Sequence, residues 1–199
     1  MSLATQVAAI FSQSAVEGID FHLAGFHVSA ARLRKVGAAI ACGRIPLAEH
    51  EGKGQLSAAY SPYTDKLTLP RNVNPAADKH KVAILHEGVH ALVDIFGEGA
   101  GLTVLDDEVA AYLAEVIYYK ALRRPLPGGA SEKKIYETAD ELATRKRLYR
   151  KKGVKLSLDD VKKLREAIHA HPVYESIGVS AKTGGHGLKR KKCVAKARA

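Results

Sequence analysis

The sequence predicts an α+β fold that is mostly α-helical and carries one small β-hairpin. Three observations lead to it. Apolar residues recur every three or four positions over helix-length stretches, as in Val82, Leu85, Val89 and Val93. Strand-like runs are short and lie together, at Gln55–Tyr60 and Lys66–Pro70, around the turn Ser61-Pro62-Tyr63-Thr64-Asp65. Glycines and prolines at 18, 25, 43, 97, 99, 101 and 125–129 cut the chain into pieces of helix length.

A length of 199 residues suits one sizeable core, or a core with a small appendage. The reading adopted is a single domain over 1–175, with its core at 55–122 and helical extensions at both ends. Residues 176–199 then form a basic tail expected to be disordered.

In order, residues 3–16 are expected to form a first helix with Val7, Ile10 and Phe11 on one side. Gly18–Gly25 reads as a connection, and His22 and His27 as packing or surface histidines. Ser29 caps a second helix, Ala30–Cys42, whose buried edge is Leu33, Val36 and Ile40. Arg44–Ala48 is a short strand or extended turn, with Pro46 excluded from a central strand. The hairpin at 55–70 follows. Asn74 and Pro75 then cap and start a helix running from about Ala76 to Phe96.

The next helical pattern holds Val109, Leu113, Val116 and Ile117, capped by Asp106 or Asp107. After Pro125–Gly129, Ser131 caps a helix carrying Ile135, Leu142 and Leu148. It turns strongly basic and ends near Gly153. Ser157 or Asp159 caps the last helix, Val161–His169.

The chemistry concentrates in His86-Glu87-Gly88-Val89-His90. On a helix, residues four apart share a face, so two imidazoles project side by side and can share one Zn²⁺. Glu87, next to the first ligand, is placed to take a proton from a water that the metal acidifies. The apolar residues around the motif put it on a mostly buried helix. Gly88 inside that helix costs about 1 kcal/mol relative to alanine; close approach of another segment opposite the ligands is one reason for it, and packing alone is the other.

A hydrolytic centre needs a third protein ligand and an open position. Glu108, on the helix after the glycine loop, is the candidate, with Asp107 as the alternative. Glu115, two turns on, suits a partner for an imidazole. The plainer reading of these acids is favourable charge at a helix N-terminus.

With His86-Glu87-Gly-Val-His90 followed by Glu108-Val-Ala-Ala-Tyr-Leu-Ala-Glu115, the chain resembles the zincin metallopeptidases, in their glutamate-ligated (gluzincin-like) branch. It is also similar to small ImmA/IrrE-like domains. The resemblance spans roughly residues 55–120. No His-x-x-Gly-x-x-His continuation follows His90, which excludes the metzincin branch. The resemblance implies a zincin-like domain, Zn²⁺ as cofactor and a peptide or protein substrate. The transition-state stabiliser is not given by motif. His171 and Tyr174, after the last helix, are the candidates, with Tyr63 and Tyr112 as rivals.

Two other function classes stay open. One is a zincin-like binding or regulatory domain without turnover. The other is a nucleic-acid-binding protein using the basic C-terminal third. The formal net charge is +10, with clusters at 145–155 and 182–198, so an anionic partner of the tail is conceivable. No aromatic residue interleaves the final basic run, which favours a solvated tail. No apolar run approaches the ~20 residues needed to span a bilayer. The N-terminus lacks a basic stretch of signal-peptide type. Cys42 and Cys193 can pair, but two lone thiols in a reducing cytoplasm fit better. A cytoplasmic location, or secretion without a conventional signal peptide, is therefore expected.

Overall fold

A computed structural model of the chain describes residues 1–51, 58–96, 101–127, 129, 132–178, 180–183 and 187–188. In chain order the elements are α1 (Leu3–Ile10), a 3-10 turn (Ser14–Gly18), β1 (Asp20–Leu23), β2 (Phe26–Ser29), α2 (Ala30–Ala41) and β3 (Leu47–His50). Then come β4 (Ala59–Ser61), β5 (Lys66–Pro70), α3 (Asp78–Phe96), α4 (Val104–Ala121), α5 (Lys133–Arg145), β6 (Val154–Leu156) and α6 (Leu158–His169). The fold is α+β and helix-rich, with two small sheets rather than the one expected.

The first helix is shorter than its apolar pattern suggests. Beyond Phe11 the polar Ser12, Gln13 and Ser14 end the buried stripe, and the 3-10 turn takes over, burying Ala15 and Val16. The supposed connection at 18–25 is instead a hairpin, β1–β2, paired antiparallel from Asp20↔Ser29 to Leu23↔Phe26. Its two-residue turn has Ala24 at φ 49° and Gly25 at φ 84°, the left-handed conformation that matches strand twist. Ala-Gly is a weak signal for such a turn, and four-residue strands leave little alternation to read. β6 joins β1 in parallel, a pairing between segments more than 130 residues apart that no local pattern announces. His22 and His27 stack face to face across this sheet with ring centroids 4.1 Å apart.

The Ser29 side chain caps α2 by accepting the Arg32 N–H, as expected. The second sheet runs β3-β5-β4, with β3 parallel and β4 antiparallel to β5. The strand after Pro46 lies at the sheet edge, where a proline beside it is tolerated. The 55–57 part of the expected first hairpin strand lies outside the described residues. β4 is the other edge strand, and it packs on α3.

α3 begins at Asp78, because Asn74 spends its side chain on a separate turn, accepting the Ala76 N–H at 3.0 Å. α4 begins before Asp106: Thr103 is the cap, in a capping box with Asp106. Ser131 lies outside the described residues, and α5 starts after Glu132 without a side-chain cap. α5 also stops at Arg145, eight positions short of Gly153. Ser157 caps α6 in a second capping box, with Asp160.

α3 and α4 pack as an antiparallel pair, since His90 meets Asp107 while Asp78 meets Arg124. α4 also touches α5, α6 and the 3-10 turn, so it is buried on nearly all sides. A helix in that position reads as apolar all round except where carboxylates have partners. The Gly88 expectation holds: a Cβ there would lie 2.2 Å from Cε1 of the fully buried Phe11.

Whether Cys42 pairs with Cys193 or stays a lone thiol turns on Cys193, which lies outside the described residues. Of the expected tail, residues 180–183 run beside the start of α4. There the Val104 N–H donates to Ala181 O at 2.7 Å and the Thr183 N–H to Leu102 O at 3.0 Å. Residues 189–199 lie outside the described set. No described helix is long and apolar enough to cross a membrane.

Candidate metal centre

The centre lies between α3 and α4. Helical spacing puts His86 and His90 on the α3 face that meets α4, with ring centroids 4.8 Å apart and planes 75° to one another. Opposite them, Glu108 presents its carboxylate to both rings. Oε2 is 3.3 Å from His86 Nε2, and Oε1 is 3.6 Å from His90 Nε2.

The far nitrogens have their own carboxylates. His86 Nδ1 makes a short hydrogen bond with Glu115 Oε1. His90 Nδ1 lies 2.9 Å from Asp107 Oδ1. That spacing suits a hydrogen bond, but Asp107 Oδ1 lacks an aligned donor among the described residues, so the contact is chiefly electrostatic. A carboxylate at Nδ1 keeps the proton there and turns the Nε2 lone pair inwards. Both Nε2 atoms therefore face Glu108, carrying a proton in the metal-free protein and free to offer a lone pair where a cation replaces that proton. Glu108 Oε2 is buried and has no aligned hydrogen-bond partner among the described residues.

Glu87 projects beside this group, and one donor atom from each of His86, Glu87 and His90 falls within 4.8 Å of the others, a set that can hold a metal ion. Its Oε2 accepts the Tyr60 N–H from β4 at 2.7 Å. The Tyr60 hydroxyl in turn donates to Asp94 Oδ2 at 2.7 Å, which ties β4 to the last turns of α3.

The electrostatics follow from crowding four carboxylates and two imidazoles in a dry place. Burial pushes the Glu87 carboxyl up, only partly offset by His90, His86 and the Tyr60 N–H. Burial would also raise Glu108, yet His90, His86 and the Tyr174 hydroxyl overcome it and hold Glu108 at about 2. Burial opposes charge on His90, but Asp107 and Glu108 outweigh it and raise His90 to about 9. The opposite shifts of His90 and Glu108 share one cause, the pairing of cationic imidazoles with carboxylates, whereas the Glu87 shift reflects burial.

Tyrosines close the other side. Tyr112 sets its ring edge against His86 at 5.2 Å, and its hydroxyl is 3.3 Å from that of Tyr174. The Tyr174 hydroxyl also lies near enough to the Glu108 carboxylate for each to shift the other's titration. His86, Glu87, Tyr112, Glu115 and Tyr174 line a cleft of about 350 Å³, with Ala58, Ala83 and Glu132 among its other walls, while His90, Asp107 and Glu108 lie behind that lining.

Of the residues singled out in the sequence, the fold brings together His86, Glu87, His90, Asp107, Glu108, Tyr112, Glu115 and Tyr174. His171 is not among the cleft-lining residues; it packs on Tyr174 at 5.7 Å and accepts the Val173 N–H. Tyr63 is 74% exposed and does not line the cleft either. Sequence reasoning missed Tyr60 and Tyr136. Tyr60 acts through its backbone N–H, and Tyr136 comes from a helix beyond a proline break, so neither carries a local signal.

No family model matches this chain, and no curated protein or solved structure shows significant similarity to it.

Proposed function

We propose that the chain is a zinc-dependent hydrolase of peptide (amide) bonds with a gluzincin-like centre, in which His86, His90 and Glu108 hold the metal. The observation that carries this reading is the convergence of His86 Nε2, His90 Nε2 and the Glu108 carboxylate, with both Nδ1 atoms turned to carboxylates. Two imidazoles and one carboxylate suit Zn²⁺, and a cation would satisfy the buried Glu108 Oε2, which lacks an aligned hydrogen-bond partner among the described residues. Glu87 is close enough to be a ligand itself. Its Oε2 is engaged by Tyr60, however, while Glu108 fronts both rings, so the ligand role goes to Glu108.

When bound, the cation lowers the pKa of a water towards about 7 and polarises the scissile carbonyl. The chain's own residues supply the remaining steps. Glu87, oriented by the Tyr60 N–H, takes the proton of the attacking water and passes it to the leaving amine. The Tyr174 hydroxyl, beside Glu108, donates to the carbonyl oxygen as negative charge develops on it. The β4 edge next to Glu87 offers main-chain groups to an extended peptide. A peptide or protein is therefore the substrate class.

The test is metal content and hydrolysis together. Wild-type protein should hold about one zinc per chain, with the metal lost or weakened in His86→Ala and Glu108→Ala. Glu87→Gln should keep the metal and lose hydrolysis of a peptide library. Full activity in metal-loaded Glu87→Gln would sink the mechanism. A wild type that binds metal and cleaves nothing supports the regulatory-domain alternative.

A further inference from the structure

Resting on that reading of the centre, we propose that Tyr136, on α5, is a positioning residue for the metal: its hydroxyl locks Glu115, and Glu115 locks the His86 ring. The Tyr136 O–H donates to Glu115 Oε2 at 2.5 Å, while Glu115 Oε1 accepts the hydrogen bond from His86 Nδ1–H. Glu115 is 4% exposed and Tyr136 6% exposed, so both contacts are largely shielded from bulk water at the inner wall of the cleft.

A carboxylate holding an imidazole can rotate about its own side chain, and with only one oxygen engaged it fixes distance but not ring orientation. Engaging the second oxygen removes that freedom. His86 Nε2 then points where Glu108 and His90 require it. A ring stack reinforces the same line: Tyr136 meets Tyr112 edge-on at 5.5 Å, and Tyr112 meets His86 edge-on at 5.2 Å.

The consequence reaches beyond one hydrogen bond. α3 and α4 alone build the ligand set, yet α5 decides how well one ligand is aimed. α5 enters after Pro125 and Pro127, and it packs on α4. Movement of α5 is therefore transmitted to metal affinity through Tyr136. Loss of the direct outer partner of a metal-bound histidine, here Glu115, typically weakens binding 10–100-fold, and this is the upper bound for Tyr136→Phe, which leaves Glu115 in place.

The experiment measures zinc affinity by competition with a chromogenic chelator, and the visible absorption of the cobalt(II)-loaded protein, for wild type, Tyr136→Phe and Tyr118→Phe. Tyr118 is the control, since its hydroxyl also makes a 2.5 Å bond, to Gln13 Oε1, in the core away from the metal. The expected result is a loss of zinc affinity of up to about 10–100-fold and an altered cobalt spectrum in Tyr136→Phe, with both unchanged in Tyr118→Phe. Equal zinc affinity in Tyr136→Phe and wild type overturns the proposal, as does an equal loss in the control. Should Tyr136→Phe not fold, Glu115→Gln serves, and unchanged affinity there overturns the relay. A wild type that binds no metal overturns the reading of the centre itself, and this inference with it.

Discussion

Gly88 sits in the middle of the motif helix, and replacing it with alanine tests how α3 is seated. A Cβ at position 88 would lie 2.2 Å from Phe11 Cε1 and 2.5 Å from Cζ. Ordinary carbon contacts begin near 3.5 Å, so the ring or the helix must move by roughly 1.3 Å. The ring has little room. Phe11 is fully buried, and on its other side a Cβ on Gly37 would already be 3.1 Å from Phe11 Cβ. Overpacking of this kind costs about 1–3 kcal/mol. Alanine returns about 1 kcal/mol of helix propensity. With the clash at the severe end, the net loss is about 2 kcal/mol, or about 4–8 °C in Tm for a chain of this size.

Urea unfolding of the metal-free protein, followed by circular dichroism, measures that loss without the metal's contribution. Phe11→Leu removes both clashing ring atoms. The double variant should therefore recover at least about 0.5 kcal/mol relative to the sum of the single changes. The diagnosis fails if Gly88→Ala is as stable as wild type or more so. That outcome would mean propensity alone operates at this position and α1 does not crowd the metal helix.

Two further outcomes are expected. Tyr174→Phe should retain zinc while kcat falls on the order of 10²-fold, the scale for removing one oxyanion donor; unchanged kcat with bound metal assigns Tyr174 to packing. Asp160 is held down to about 2, against an ordinary 3.8, by Lys146 first and then by Ser157 at the start of α6. Its stabilising contribution is complete above pH 3.8 and disappears as pH falls through 2. Asp160→Asn should therefore flatten stability against pH across that window, and an unaltered profile in acid unfolding counts against the assignment.

The site was legible in so far as its partners lie on helices with regular spacing. His86 and His90 follow from a four-residue interval. Glu108 and Glu115 follow from a second helix folded back across a short loop. The charge partner of His90 was harder: Asp107 is adjacent to Glu108 in the chain, and only the crossing of α3 and α4 decides which carboxylate meets Nε2 and which meets Nδ1. The β1–β2 hairpin was missed because its strands are four residues long. β6 was missed because its partner strand precedes it by more than 130 residues. Tyr174 and His171 looked equivalent in sequence, three residues apart after α6. The path of the chain there turns Tyr174 into the site and leaves His171 behind it.

By itself, then, the sequence determined most of the helices, the caps Ser29 and Ser157, and the motif face of α3. These depend on backbone geometry and on neighbours within a few residues. The tertiary structure alone decided that α4 is the buried centre and that Tyr60 holds Glu87. It also decided that Tyr136 holds Glu115 and that the hydroxyl near Glu108 is Tyr174. Each of those contacts joins distant segments through packing energies too small and too numerous to be read from local spacing.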